Sequence, residues 1–188
     1  MLLTTTELDA VNQILSAIGS DPVMSLEDSL DMDVINARRL LKETSRNVQR
    51  QGWDFNKTTR TLIPDEKSHK IAWDNTVIHL EANDGNTYVK RGSWLYNMTE
   101  GTIEFPKAVE VTVIYGIDFD DLPDCFKNYI TAKAALDFQT RYFGDTTVSQ
   151  DLQYAVQTAY QDIVSYDIKM ANTNMLNLTG VSEVLQRT

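Results

Sequence analysis

The chain has 188 residues, 42% hydrophobic and 23% charged, with 27 Asp plus Glu against 17 Lys plus Arg for a net charge of -10. That is the length of one domain, or of one body with an inserted subdomain, and the acidic balance argues against affinity for nucleic-acid backbone, which needs clustered positive charge. A single cysteine, Cys125, excludes an intrachain disulfide and a cysteine-built metal site.

The first stretch, MLLTTTELDAV, has neither a basic n-region nor an extended apolar run, which predicts no secretory signal and synthesis in a reducing, cytoplasmic compartment. Apolar runs along the chain fall far short of the ~20 residues that span a bilayer. Thr4 and Glu7 stand at capping-box spacing ahead of Leu8, Val11, Leu15 and Ile18, which line one face of a first helix stopped by Gly19 and Pro22. Asp31 or Asp33 caps a second helix whose stripe is Val34, Ala37, Leu41, Thr44 and Val48, with Gly52 at its C-terminal end. Arg38, Arg39, Lys42, Arg46 and Arg50 lie largely off that stripe and make a basic face on an acidic chain. Trp53 and Phe55, alternating after the glycine, predict the start of an extended stretch that covers the helix end.

Between 57 and 118 the period changes to two. Strands are predicted at 60–63, 70–73, 77–80, 87–91, 94–97 and 109–115, with tight turns at Asp84-Gly85 and at Arg91-Gly92-Ser93. Val109, Val111, Val113 and Tyr115 share one face, which predicts an antiparallel, half-exposed sheet. Helical period returns with Pro123 in a first turn and Gly144 at the end. Phe126, Ile130, Ala134 and Phe138 form the stripe of this third helix, widened by Ala132, Ala135, Leu136 and Phe143, so it is predicted to be central. Thr147 and Gln150 predict a capping box for a fourth helix carrying Leu152, Val156, Ala159, Ile163, Tyr166 and Met170. The expected architecture is α+β. It is a four-helix bundle built from 1–56 and 119–170, with an antiparallel β subdomain, 57–118, inserted between helices 2 and 3, and an extended C-terminal tail, 171–188.

Candidate chemistry is sparse. His69 and His79 would need Glu66 or Glu81 to hold zinc, and no recognised ligand spacing is present, so both read as strand or surface histidines. DFDDLPD (118–124) lacks the central glycine and closing glutamate of a calcium loop and reads as helix N-terminal capping. Neither metal nor cofactor is expected. Asp65 with Glu66, or Asp74 with Glu81, would serve a glycosidase, although any acidic chain offers such pairs. Cys125 sits at a helix N-terminus, which lowers a thiol pKa, but with no partner histidine it reads as a structural thiol. KRGSWLYN interleaves basic and aromatic residues as a single-strand binder does, and in so acidic a chain reads as a hairpin.

Three segments taken together, ELDAVNQILSAIGSDPV (7–23), NARRLLKETSRNVQRQGWDFN (36–56) and DLPDCFKNYITAKAALDFQTRYFG (121–144), closely resemble the tail tubular protein A family. These are the head-to-tail adaptor, or gatekeeper, proteins of short-tailed, podovirus-type phages. The match runs in order from about residue 7 to residue 144, is loose in the β segment apart from YVKRGSWLYN, and is echoed by NML at 174–176. The resemblance implies a non-enzymatic virion structural protein: a helical bundle with an inserted β domain, assembled as a twelve-fold ring beneath the portal. The far side of such a ring docks on a tail nozzle of the tail tubular protein B type. Double-stranded DNA passes through its channel without specific binding, and no membrane is involved.

The resemblance also implies that Asn174, Met175 and Leu176 reach toward the portal. In a ring, Arg38, Arg39, Lys42 and Arg46 become candidate intersubunit contacts, with acidic partners among Glu27, Asp28, Asp31 and Asp33 of the next copy. The alternative for that face is solvation or pairing within the chain. Net negative copies around a pore would repel phosphate and let DNA leave quickly. A second reading is a virion-associated polysaccharide hydrolase using a carboxylate pair in the β subdomain. A third, a DNA-binding packaging factor, is disfavoured by the charge.

Overall fold

The computed structural model describes residues 5–27 and 29–176, with side chains as far as Ala171. Its elements in chain order are α1 (Glu7–Ser16), α2 (Met32–Gln49), β1 (Lys57–Leu62), β2 (Val77–Ala82), β3 (Tyr88–Arg91), β4 (Trp94–Asn97), β5 (Val109–Tyr115), a 3-10 turn (Phe119–Asp121), α3 (Asp124–Tyr142) and α4 (Thr146–Leu176). The fold is α+β, with every strand between α2 and α3 as expected. It divides into a helical unit, up to Val48 and from Asp118 onward, and a β unit, Gln49–Ile117.

In the helical unit, α1 is capped by Thr6 rather than Thr4. The box closes with Asp9, whose N–H donates to Thr6 Oγ1 at 3.2 Å while its carboxylate accepts from the Thr6 N–H at 3.0 Å. Ala10, Val11, Ile14 and Leu15 are buried beneath it. Helix α2 is capped by Asp31, whose Oδ1 accepts from the Asp33 N–H at 2.9 Å, and the whole predicted stripe from Val34 to Val48 is buried.

Helix α3 is the central element. Phe126, Tyr129, Ile130, Thr131, Ala134, Ala135 and Phe138 are all buried, so it is covered over most of its circumference. It stops at Gly144, in the left-handed region at φ 68, where the Phe143 and Gly144 N–H groups both donate to the Gln139 carbonyl at 2.9 Å. Helix α4 is capped by Asp145 and not Thr147: Asp145 Oδ1 accepts from the Thr147 N–H at 2.8 Å and the Val148 N–H at 3.2 Å. It packs along α3 through Phe126 edge-on to Tyr166, centroids 6.0 Å apart, and Tyr129 against Tyr160 at 5.6 Å. Its backbone stays helical to Leu176, past residue 170 where the tail was expected to begin. The remainder of that tail, 177–188, lies outside the described residues.

In the β unit, β5 is the central strand of an antiparallel sheet of order β1-β5-β2, and β3 with β4 makes a separate hairpin turned at Gly92. The strands thus form two sheets, not one. Register runs from Lys57↔Ile114 to Leu62↔Val109 on one side, and from Val77↔Tyr115 to Ala82↔Val111 on the other, with a bulge between Val77 and His79. Val109, Val111 and Val113 point into a core with Ile71, Tyr88, Leu95 and Phe105.

Two local expectations fail here for identifiable reasons. Segment 70–73 forms only isolated bridges, Lys70↔Glu104 and Ala72↔Trp94. It is hemmed in by a turn on Asp65 that ends at His69, with φ 53, and by a second turn on Asp74. Trp53 and Phe55 do not begin an extended stretch. The Asn56 and Lys57 N–H groups both donate to the Trp53 carbonyl, at 3.0 and 2.9 Å, closing a helical turn locked by Asn56 Oδ1 accepting from the Trp53 N–H at 2.9 Å.

Candidate assembly surfaces

The N-terminus of α1 gathers residues distant in sequence. Asp120 Oδ1 accepts from the Glu7 N–H at 2.8 Å, so the acidic segment 118–124 caps α1 as well as preceding α3. The Asp120 carbonyl accepts from Lys127 Nζ at 2.7 Å, which satisfies an ammonium only 2% exposed. Glu7 faces the other way and takes a two-pronged bond from Arg38, Nε to Oε1 at 3.0 Å and Nη2 to Oε2 at 3.3 Å, with Lys42 Nζ 3.5 Å from Oε1. Burial pushes the Glu7 carboxyl up, but the Arg38 hydrogen bonds and the charges of Lys42 and Arg38 outweigh it and hold the carboxyl below its ordinary value. The Arg38 guanidinium is correspondingly raised, chiefly by its bond to Glu7.

The basic face of α2 is therefore divided. Arg38 is turned inward to Glu7 and Lys42 is shared with it, while Arg39 and Arg46 are exposed and form no ion pair among the described residues. Arg39 makes a long side-chain bond within its own helix, Nη2 to Asn36 Oδ1 at 3.5 Å. Of the acids expected opposite that face, Asp31 is occupied as the α2 cap, Asp33 heads the first turn, and the charge of Glu27 acts on Arg38 of the same chain. Asp28 lies outside the described residues. Exposed apolar side chains are interspersed with them along the chain: Met24 and Leu30 are 94% and 92% exposed, and Met32 and Ile35 are exposed at the start of α2.

Among the described residues, helix α4 is packed on one side only. Leu152, Val156, Ala159, Ile163, Tyr166 and Met170 face α3, yet of its described residues Ile163 alone is fully buried, while Tyr154, Tyr160 and Ile168 stand exposed. Asn174, Met175 and Leu176 occupy the last turn of this helix; their side chains lie outside the described residues.

In the β unit a buried polar pair ties the two ends of the excursion together. Gln49 Nε2 donates to the Ile117 carbonyl at 2.9 Å and Gln49 Oε1 accepts from the Ile117 N–H at 2.7 Å, so one amide side chain copies a strand-like pairing. Asn56 Nδ2 donates to the carbonyls of Gln49 and Tyr115 at 3.0 and 2.9 Å. Sequence reading passed over Gln49 and Asn56, took Asp120 only as part of the acidic run at a helix N-terminus, and took Glu7 only as a capping residue. Asn56 carries a local signal, a short side-chain amide just past a helix-ending glycine. The partners of Gln49, Asp120 and Glu7 are too far along the chain to be signalled locally.

The carboxylates considered for hydrolysis are otherwise engaged. Asp65 Oδ1 accepts from the Lys67 and Ser68 N–H groups and the Ser68 hydroxyl, and Asp74 Oδ1 accepts from the Thr76 N–H and hydroxyl. These bonds hold both carboxyls below the ordinary aspartate value, opposite to what a general acid requires. Glu81 lies 3.6 Å from His79 Nε2. Burial raises the Cys125 thiol despite its place at the start of α3, so it is not an activated thiolate. KRGSWLYN is the β3–β4 hairpin, with Arg91 stacked 3.7 Å from the centre of the Tyr96 ring. Among the described residues no group of His, Cys, Asp and Glu could hold a metal ion, and no helix is long and apolar enough to cross a membrane.

A family model described as tail tubular protein matches residues 8–173. The chain is also 30% identical over 135 residues to the tail tubular protein A of Klebsiella phage KP34, an alignment that covers 69% of this chain and 72% of that protein.

Proposed function

The chain belongs to the tail tubular protein family of phage tail structural proteins, and from that premise we propose that it is the head-to-tail adaptor of its virion. Twelve copies form a ring with the portal on one side and the tail nozzle on the other, and DNA crosses the channel without specific binding. The helical unit, up to Val48 and from Asp118 onward, makes the body of the ring, Gln49–Ile117 is its β unit, and the end of α4, at Asn174, Met175 and Leu176, meets the portal.

The observation that carries this reading is α4. It is a helix of 31 residues, about 46 Å long at 1.5 Å per residue, with only one side packed on α3. A helix of that length with Tyr154 and Ile168 exposed on its free side is built to meet another molecule. The exposed cations of α2, Arg39, Lys42 and Arg46, with Arg38 behind them on Glu7, are the proposed intersubunit contacts. A non-enzymatic role is supported by the turns that engage Asp65 and Asp74.

Light scattering tests the proposal. The mass of the purified protein, alone and mixed with the portal protein of the same virion, should reach that of a ring in at least one of the two conditions. A monomer indifferent to portal overturns it.

A further inference from the structure

Among the described residues two helix faces of the helical unit lack a partner element, with only Lys42 engaged within the chain, on Glu7, and the faces are opposite in sign. On α2, Ile35, Arg39, Lys42 and Arg46 recur every three or four residues, so they share one exposed stripe on the side away from Val34, Ala37, Leu41 and Val48. On α4, Tyr154 and Ile168 are 74% and 55% exposed and lie about four turns apart, across the helix from Ile163. Asp151 and Asp162, both exposed, lie about three turns apart along one flank of that free side. From Thr146 to Ile168 the helix contains no Lys or Arg.

We propose that the α2 stripe of one copy docks on the outer face of α4 of the next copy, an inference that rests on the ring reading above. Arg39 and Arg46 meet Asp151 and Asp162, and Ile35 packs against the Tyr154–Ile168 row. Like faces cannot pair: α2 against α2 sets cations against cations, and α4 against α4 sets carboxylates against carboxylates, which charge complementarity rules out as stable registers. A symmetric dimer through either face is therefore disfavoured. The contact joins two different surfaces, which is the kind of interface that propagates around a ring and closes on itself. Guanidinium forks suit this use, since they take carboxylates two bonds at a time, and the apolar residues between the charges supply contact area that the ion pairs lack. Arg38, committed to Glu7, holds the α2 backbone against α1 and leaves its neighbours free for the next copy.

Two paired charge reversals test the docking. One variant carries Arg39→Glu with Arg46→Glu, the other Asp151→Arg with Asp162→Arg. Every substituted position is exposed, so circular dichroism and melting should match the wild type. Each variant alone, mixed with portal protein, should assemble at least tenfold less than wild type by light scattering. An equimolar mixture of the two should recover assembly. Alternating copies then place Glu against Arg at one interface and the native pair at the next. A chain carrying all four changes should recover as well. Variants that assemble normally alone overturn the proposal. So does a mixture that stays dissociated, which would assign the α2 stripe to the portal or nozzle instead. A wild-type chain that never assembles overturns the ring reading itself, and that result is seen before any variant is made.

Discussion

Arg38 and Glu7 are joined fork to fork across α2 and α1, with the two guanidinium bonds at 3.0 and 3.3 Å and Lys42 adding a second positive group. The Glu7 carboxyl is thereby held below its ordinary value of 4.5. A carboxyl lowered on folding contributes stability that is complete above its unfolded value and is lost as pH falls through its folded value. Glu7→Gln should destabilise the protein by about 1 kcal/mol at neutral pH, allowing for partial exposure. The gap to wild type should narrow below about pH 4.5 and close in stronger acid. Urea unfolding of both proteins across that range checks this; a gap independent of pH would refute it.

Gln49 serves both backbone groups of Ile117 and is 2% exposed. Gln49→Leu keeps the volume and leaves a half-buried N–H and a half-buried carbonyl of Ile117 without their side-chain partner, at a cost of roughly 1–3 kcal/mol. Denaturant midpoints measure the loss. Hydrogen exchange should localise it to the Ile117 amide.

Gly52 and Gly19 both sit in the left-handed region, at φ 78 and 74, but their surroundings differ. A Cβ on Gly52 would come 2.6 Å from Ile114 Cδ1, whereas nothing lies within 4 Å of one on Gly19. Gly19→Ala should cost about 1 kcal/mol from backbone strain alone. Gly52→Ala adds displacement of Ile114 and should cost about 2–3 kcal/mol. Equal melting temperatures for the two variants would show that Ile114 moves aside freely.

Burial raises the Cys125 thiol. Its reaction with a disulfide reagent near pH 8 should be slower than that of a free thiol and should accelerate on unfolding. Stopped-flow absorbance with and without urea is the measurement, and a rate above that of the free thiol would contradict the assignment.

Much of the fold is legible in the sequence because burial here follows simple periods. The stripe Val34, Ala37, Leu41, Thr44 and Val48 is buried as read, and the alternation of β5 places Val109, Val111 and Val113 in the core. The misplaced features are those where a short polar side chain outcompetes a neighbour for the same backbone donors. Thr6 and Asp145 take caps that pattern alone gives to Thr4 and Thr147, since both types fit and only geometry decides between them. Asn56 curls Trp53 and Phe55 into a turn that their alternation disguises. The surfaces were half legible. The basic residues of α2 are plain in the sequence, but the withdrawal of Arg38 depends on Glu7, which reaches α2 only after folding.

The Gln49–Ile117 pairing has a consequence for how such proteins diversify. Because the β unit starts and finishes at residues within hydrogen-bond distance of each other, it is grafted into the helical chain at a single point. Insertions rooted this way tolerate exchange, since swapping the grafted piece leaves the distance to be bridged unchanged. A lineage can therefore replace the whole cassette while the helical unit stays as it is.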